Sequence, residues 1–326
     1  MHRLLYEHNS GGEDYTMELK VIVANTGEDS IGIIDLKNNY ITEQIPIKSL
    51  IKEDNNLNIY LDTYHIGPYA LCLSSNKEKI YLSNIYDNSI YKIDISTMKI
   101  EDLIPVGKFP VCVEVYEELI YVLCSDSNSI SIIDENSFKL IGNIALGEKP
   151  GDIEIDRLSQ KIYIANSNGY SIDVIDLKKD SINSIKLNKN PIKIQIEKDL
   201  MYILSNINNG VLNCSNISVM KLTDNTIIKS IDMNGIYNNM IKPFGKELLY
   251  ITSFENGYIF KMDLYTGNII IKRFIDGMPN KIIYFENNKL LISNISKDCV
   301  TIFDTIGDKV VTNIKVGNEP NGLILI

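Results

Sequence analysis

Hydrophobic and polar positions alternate along most of this chain in short runs that recur in a fixed order. From Lys161 to Asp176, KIYIANSNGYSIDVID, Ile162 and Ile164 alternate with Tyr163 and Ala165, a small polar loop follows, and a second alternating run ends at Ile175. Two period-two runs joined by a short polar loop predict a β-hairpin. The frame returns as VIVANTGEDSIGIID from Val21, IYLSNIYDNSIYKID from Ile80, IYVLCSDSNSISIID from Ile120, LYITSFENGYIFKMD from Leu249 and LLISNISKDCVTIFD from Leu290. A degenerate copy, MYILSNINNG followed by ISVMKL, begins at Met201. Asp94, Asp134 and Asp176, which close the second run, are 40 and 42 residues apart, and Asp263 and Asp304 are 41 apart, the period of a propeller blade.

Each copy continues with a third strand, a tight turn and a fourth strand. Gly-x-x-Pro turns introduce the fourth strands at Gly107 and Gly147, with a final copy at Gly317 and a variant at Asn188. Proline presets φ and cannot donate to a ladder, so it belongs at a strand's first position. The chain opens on a hairpin and ends on a Gly-x-x-Pro strand with no hairpin after it. These features predict an all-β, seven-bladed β-propeller of four-stranded antiparallel blades. Its C-terminal strand becomes the innermost strand of the blade begun by Val21 to about Ile47, closing the ring and removing exposed edges.

Residues 1–16 are polar and carry Gly11-Gly12, which reads as a flexible extension ahead of a single propeller over 17–326. Between Pro46 and Gly67 the first repeat carries an insertion of about twenty residues, in which Tyr60, Asp62 and Tyr64 alternate with Leu61, Thr63 and His65. The degenerate fifth copy is expected to have a long hairpin loop over Asn206 to Asn216, and NGIYNNMIKP replaces the usual turn after it. Hairpin loops and the turns before inner strands share one face of a propeller. Tyr60, Asp62, Tyr64, His65, Tyr69, Asn208 and Asn209 are therefore candidate contacts on that face. The plainer account of the insertion is a solvated loop.

The inner strands carry the second constellation. Two and four residues after each proline stand Cys112 and Glu114, Asp152 and Glu154, Lys193 and Gln195, with Lys281 in the corresponding place before the seventh hairpin. Period-two alternation puts them on a common side, facing a central channel. Glu114, Asp152 and Glu154 could hold a divalent cation such as calcium or magnesium through oxygen ligands. The plainer account is a water-filled tunnel with an ion pair between Asp152 and Lys193 and no cofactor, since enclosed charges pair. The recurrent Asn25, Asn84, Cys124, Asn166, Ser205, Ser253 and Asn294, and the strand-closing aspartates, read as turn makers. Tyr81, Tyr121, Tyr163, Tyr202 and Tyr250 share one strand position and read as packing between blades.

Composition narrows the function classes. The 326 residues include 32 basic and 42 acidic side chains, a formal charge of -10 with no basic cluster, which disfavours nucleic acid and anionic membranes as partners. No apolar run is long enough to span a bilayer, and residues 1–16 lack a secretory signal pattern, so a cytoplasmic location is expected. The five cysteines, Cys72, Cys112, Cys124, Cys214 and Cys299, have no C-x-x-C spacing and are expected as free thiols in a reducing compartment. Of three histidines only His65 lies in the repeat region, and no nucleophile-elbow, Walker or dinucleotide glycine motif is present.

The repeats resemble the YVTN family of seven-bladed propellers, akin to surface-layer and NHL-type propellers. The resemblance rests on IYIAN at Ile162, IDVID at Ile172, Pro191, and IYLSN, SIYKID and PVGKFP at Ile80, Ser89 and Pro105, and it covers Met17 to Ile326. It implies a binding or scaffolding role; some relatives are exported or associated with cell surfaces or nucleic acid. The expected function is a non-catalytic, monomeric binding propeller presenting its loop-decorated face to a protein, peptide or small ligand. The competing expectation is a lactonase- or lyase-like enzyme with a cation in the channel.

Overall fold

In the computed structural model, which describes residues 19–38, 40, 42–51, 65–208, 213–285 and 288–326, the alternating runs pair into seven four-stranded antiparallel sheets. Blade 4 shows the common plan: Pro150–Asp156 innermost, then Lys161–Asn166, Ser171–Asp176 and Ser181–Lys186 outermost. Its central pair is in unbroken register, with Ile162 opposite Ile175 and Asn166 opposite Ser171. Blades 2 to 7 follow in chain order, and blade 1 is completed by Pro320–Leu325, which pairs with Lys20–Asn25, Ile324 lying opposite Ile22. The C-terminal strand therefore closes the ring as its turn motif implies.

The core is a circle of seams between blades. Both faces of a blade are covered by neighbours, so both subsets of an alternating run must be apolar, which is why Tyr163 and Ala165 are as buried as the isoleucines between them. Tyr163 packs on Ile194, Met201, Ile203 and Met220 of blade 5. Tyr121, Tyr202 and Tyr250 pack into the equivalent seams, and the Tyr81 hydroxyl donates to Glu135 in blade 3. The closing seam sets Leu291 and Val300 against Val21, Val23 and Leu323.

Turn chemistry follows the polar repeats. Asp134 accepts the backbone N–H of Ser137 at 2.8 Å, and Asn166 donates to Ser171 Oγ at 3.0 Å. The residue before the turn proline is left-handed at Phe109 (φ 57°), Lys149 (φ 54°) and Glu319 (φ 53°), and the ladder then skips a residue, Pro150 pairing with Asn166 and Asp152 with Ala165.

Two segments differ from expectation. Asn206 to Asn216 is not all loop: the fifth-blade hairpin strands run Leu200–Asn208 and Asn213–Lys221, with Ser205 opposite Asn216 and Asn206 opposite Ser215. Polar side chains fit this ladder because they bond one another, Ser215 Oγ donating to Asn206 Oδ1 at 2.6 Å. In the insertion, Ile47–Leu50 forms a 3-10 turn with Ile47 and Leu50 buried, and Ile51 bridges to Ile100 of blade 2. The extension over 1–16 and the insertion residues Tyr60, Asp62 and Tyr64 lie outside the described residues, as does Asn209. Among the described residues no helix is long and apolar enough to cross a membrane. None of the five cysteines is paired.

Candidate functional site

The turns into the inner strands and the hairpin loops meet on one face of the ring. Backbone bonds join them in successive blades: Ile85 N–H to Gly67 O at 2.8 Å, Ser125 N–H to Phe109 O at 2.9 Å and Ser167 N–H to Lys149 O at 2.8 Å. Two aromatic pairs lie here. The ring of His65, whose side chain is 76% exposed, meets Tyr86 edge-on at 6.3 Å, and Tyr86 is itself half exposed. Tyr86 can settle on the backbone because Gly67 (φ 71°) has no Cβ to meet its ring. Asp29 holds the turn by accepting the N–H groups of Ile66 and Gly67 at 2.9 and 2.8 Å. Closer to the axis, Tyr69 lies 6.5 Å from Phe109, and burial raises its phenol, helped by Cys112. Asn208 ends its strand opposite Asn213. Tyr86 and Phe109 were missed in the sequence; both are aromatics in the polar loops of this face, which is the signal that could have found them.

The inner strands carry these residues around the axis, where Asp152 is buried and Cys112, Glu114, Glu154, Lys193, Gln195 and Lys281 are half-buried. Asp152 and Glu154 share the blade-4 face with Ala165 and Tyr163, the face packed on blade 5. A blade presents its faces to neighbours and only its strand edge to the axis, which the alternation alone did not distinguish. Asp152 is consequently engaged on both oxygens: Lys193 Nζ lies 2.6 Å from Oδ1, and Ile194 N–H donates to Oδ2 at 2.8 Å. This is the expected ion pair. Burial would lower the Lys193 ammonium, but Asp152 and Glu154 outweigh it and hold the group protonated.

The Glu154 carboxyl makes no hydrogen bond among the described residues. Burial pushes its carboxyl up to about 8; Lys193 pulls down, while Asp152 and Glu114 push up. Burial, then Asp152, pushes the Cys112 thiol up to about 12, so it is not a ready nucleophile. Glu114 and Lys281 belong to the same electrostatic cluster around Cys112, the Lys281 ammonium favouring the thiolate and Glu114 opposing it. Gln195 lies apart from this cluster: its amide donates to Lys242 O and accepts from Lys242 N–H, both at 2.8 Å, tying blade 5 to blade 6. Among the described residues no three His, Cys, Asp or Glu side chains are grouped to hold a metal ion.

No protein-family model matches this sequence, and no curated protein matches it significantly. Solved structures match the fold. A chain of the hydrazine synthase from Kuenenia stuttgartiensis aligns with a TM-score of 0.72 at 17% identity, over 82% of this chain and 92% of that one. A candidate 6-phosphogluconolactonase from Bacteroides fragilis aligns at 0.72 and 11% identity, over 97% and 100%. The virginiamycin B lyase from Staphylococcus aureus aligns at 0.65 and 16% identity, over 79% and 88%. Together with the sheet topology, these likenesses place the chain among the seven-bladed β-propellers.

Proposed function

We propose that this protein is a binding propeller that engages a protein or peptide segment on the face carrying His65, Tyr69, Tyr86 and Phe109, with the insertion residues Tyr60, Asp62 and Tyr64 and the fifth-blade residues Asn208 and Asn209 as further contacts. The observation that carries this reading is the exposed His65–Tyr86 pair, held by a turn that Asp29 clamps from the neighbouring blade. Rigid, half-exposed aromatics are the side chains from which binding hot spots are built. The YVTN-like repeat and the net charge of -10 favour a protein over a nucleic acid. The free thiols support a reducing, cytoplasmic location, and we take the propeller to act as a monomer. A photo-crosslinking residue at Tyr86 should give one discrete adduct in cells, whereas one at the exposed Leu158, on a turn of the opposite face, should not. Adducts at Leu158 and none at Tyr86 would overturn the reading.

The elevated Glu154 beside Lys193 favours a second reading, a lactonase- or lyase-like enzyme with an axial acid. Stoichiometric calcium or magnesium bound through Glu114 or Glu154, and lost on Glu114→Gln, would move that reading ahead.

A further inference from the structure

In the regular blades the space behind the turn that enters the inner strand is filled. In blade 4 the Asn166 side chain occupies it, and Gly147 approaches so closely that a Cβ there would lie 2.4 Å from Asn166 Nδ2. Blade 1 repeats this with Asn25 and Gly317, where the distance would be 2.6 Å. Blade 5 departs from both halves of the arrangement. Ser205 stands in the asparagine's place, and Asn188, exposed to solvent, stands in the glycine's. The turn also lacks the left-handed residue found at Lys149 and Glu319.

The result is a pocket of about 230 Å³ on the side of blade 5 that faces blade 4, open to solvent where Asn188, Ile227 and Ser230 are exposed and lined further by Leu187, Lys189, Ile203, Ser205 and Ser218. The hydroxyls are set up in complementary ways. Ser218 Oγ donates to Asn216 Oδ1 at 2.6 Å, leaving its lone pairs to accept. Ser230 Oγ accepts from Asn216 Nδ2 at 2.8 Å, leaving its proton to donate. The Ser205 hydroxyl, buried at the inner end, makes no hydrogen bond among the described residues and can do either. The one charged lining residue, Lys189, is already neutralised: its Nζ lies 2.8 Å from Asp232 Oδ1, which also accepts from Asn216 Nδ2 at 2.8 Å.

We propose that this cavity binds a neutral polyhydroxyl compound of about monosaccharide size. Such a molecule alternates donors and acceptors, as the three serines do, and can lay an apolar face on Leu187, Ile203 and Ile227. An ion would enter without a free counter-charge, at a desolvation cost. The volume is that of roughly seven or eight waters in the liquid, the room a six-carbon ring needs. The site is separate from the His65–Tyr86 surface and goes beyond the binding role proposed for it.

The test is saturation-transfer NMR and titration calorimetry on the full chain with D-glucose, D-ribose, myo-inositol and glycerol in turn, and with inorganic phosphate as the anionic control. At least one of the four should bind saturably with Kd below about 50 mM. Ser230→Ala should weaken it roughly five- to tenfold, the effect of one hydrogen bond. Ser205→Asn combined with Asn188→Gly restores the blade-4 filling and should abolish binding; if that variant does not fold, Ser230→Ala decides alone. No saturable binding by any of the four, tighter binding of phosphate, or affinities unchanged in Ser230→Ala would overturn the proposal. Crosslinking at Tyr86 should be indifferent to Ser230→Ala, so the two readings fail separately.

Discussion

Glu154 has the most perturbed carboxyl near the axis, and the perturbation has a measurable sign. Its folded value is raised to about 8 from an ordinary 4.5, so the folded state binds the extra proton between those values. Stability should then fall as pH rises from about 4.5 to 8 and level off above. Among the described residues Lys193, Asp152 and Glu114 are the charged groups acting on it, and of these three Lys193 opposes the shift. The strand-closing carboxylates Asp35, Asp134, Asp263 and Asp304 are shifted downward, so their contributions are lost only in acid, outside this window. Glu154→Gln should match the parent's melting temperature near pH 5 and exceed it near pH 8.5. After allowance for channel water the difference should be on the order of 2 kcal/mol, a few degrees in a ring of this size. Calorimetric melts at the two pH values check it; parallel pH profiles would show Glu154 to be ordinarily ionised. Counting from Pro150 was enough to find Asp152 and Glu154. It also gave the Asp152–Lys193 pair, but it could not show that the Ile194 amide takes the second oxygen of Asp152, because that depends on which face of blade 4 meets blade 5.

At the scale of elements, the least regular strand is the inner strand of blade 6, reduced to Asn239–Ile241. Side chains of blade 5 replace the missing ladder: Gln195 bonds both backbone groups of Lys242, and Glu197 pairs with the buried Lys242 ammonium while accepting Gly245 N–H at 2.8 Å. Removing one partner strands a buried charge, so Glu197→Ala should cost about 3–5 kcal/mol. The double variant Glu197→Leu with Lys242→Met should cost much less, because no charge is then left enclosed. Urea melts of the two variants test this, and equal losses would mean that packing rather than charge holds the seam. NGIYNNMIKP showed that the usual turn was missing here. It did not show what replaces it, since Glu197 and Lys242 meet only when two blades are docked. The fifth-blade hairpin was misjudged for a related reason: asparagine and serine read as loop residues, yet they extend the ladder when their side chains satisfy one another across it.

On the scale of the molecule, stability depends on closure. Pro320–Leu325 covers the second strand of blade 1, and Leu323 and Ile324 fill seams on its two sides. Deleting Asn318 to Ile326 should expose Val21 and Ile22 and leave an open strand edge, giving an aggregating or unfolded product. Light scattering and thermal denaturation check this; a monomeric deletion variant that melts normally would mean the ring does not need its closing strand. The sequence by itself determined the blade count, the strand order and the closing strand, because each rests on local information: period-two alternation, turn prolines and a repeat of constant length. Only the tertiary structure decided that Gln195 and Glu197 hold Lys242 of the next blade, how Tyr86 and Phe109 join His65 and Tyr69 on one face, and that blade 5 leaves a pocket behind its turn. Those features arise where residues some forty positions apart come into contact, and their distances are set by the docking of one blade on the next.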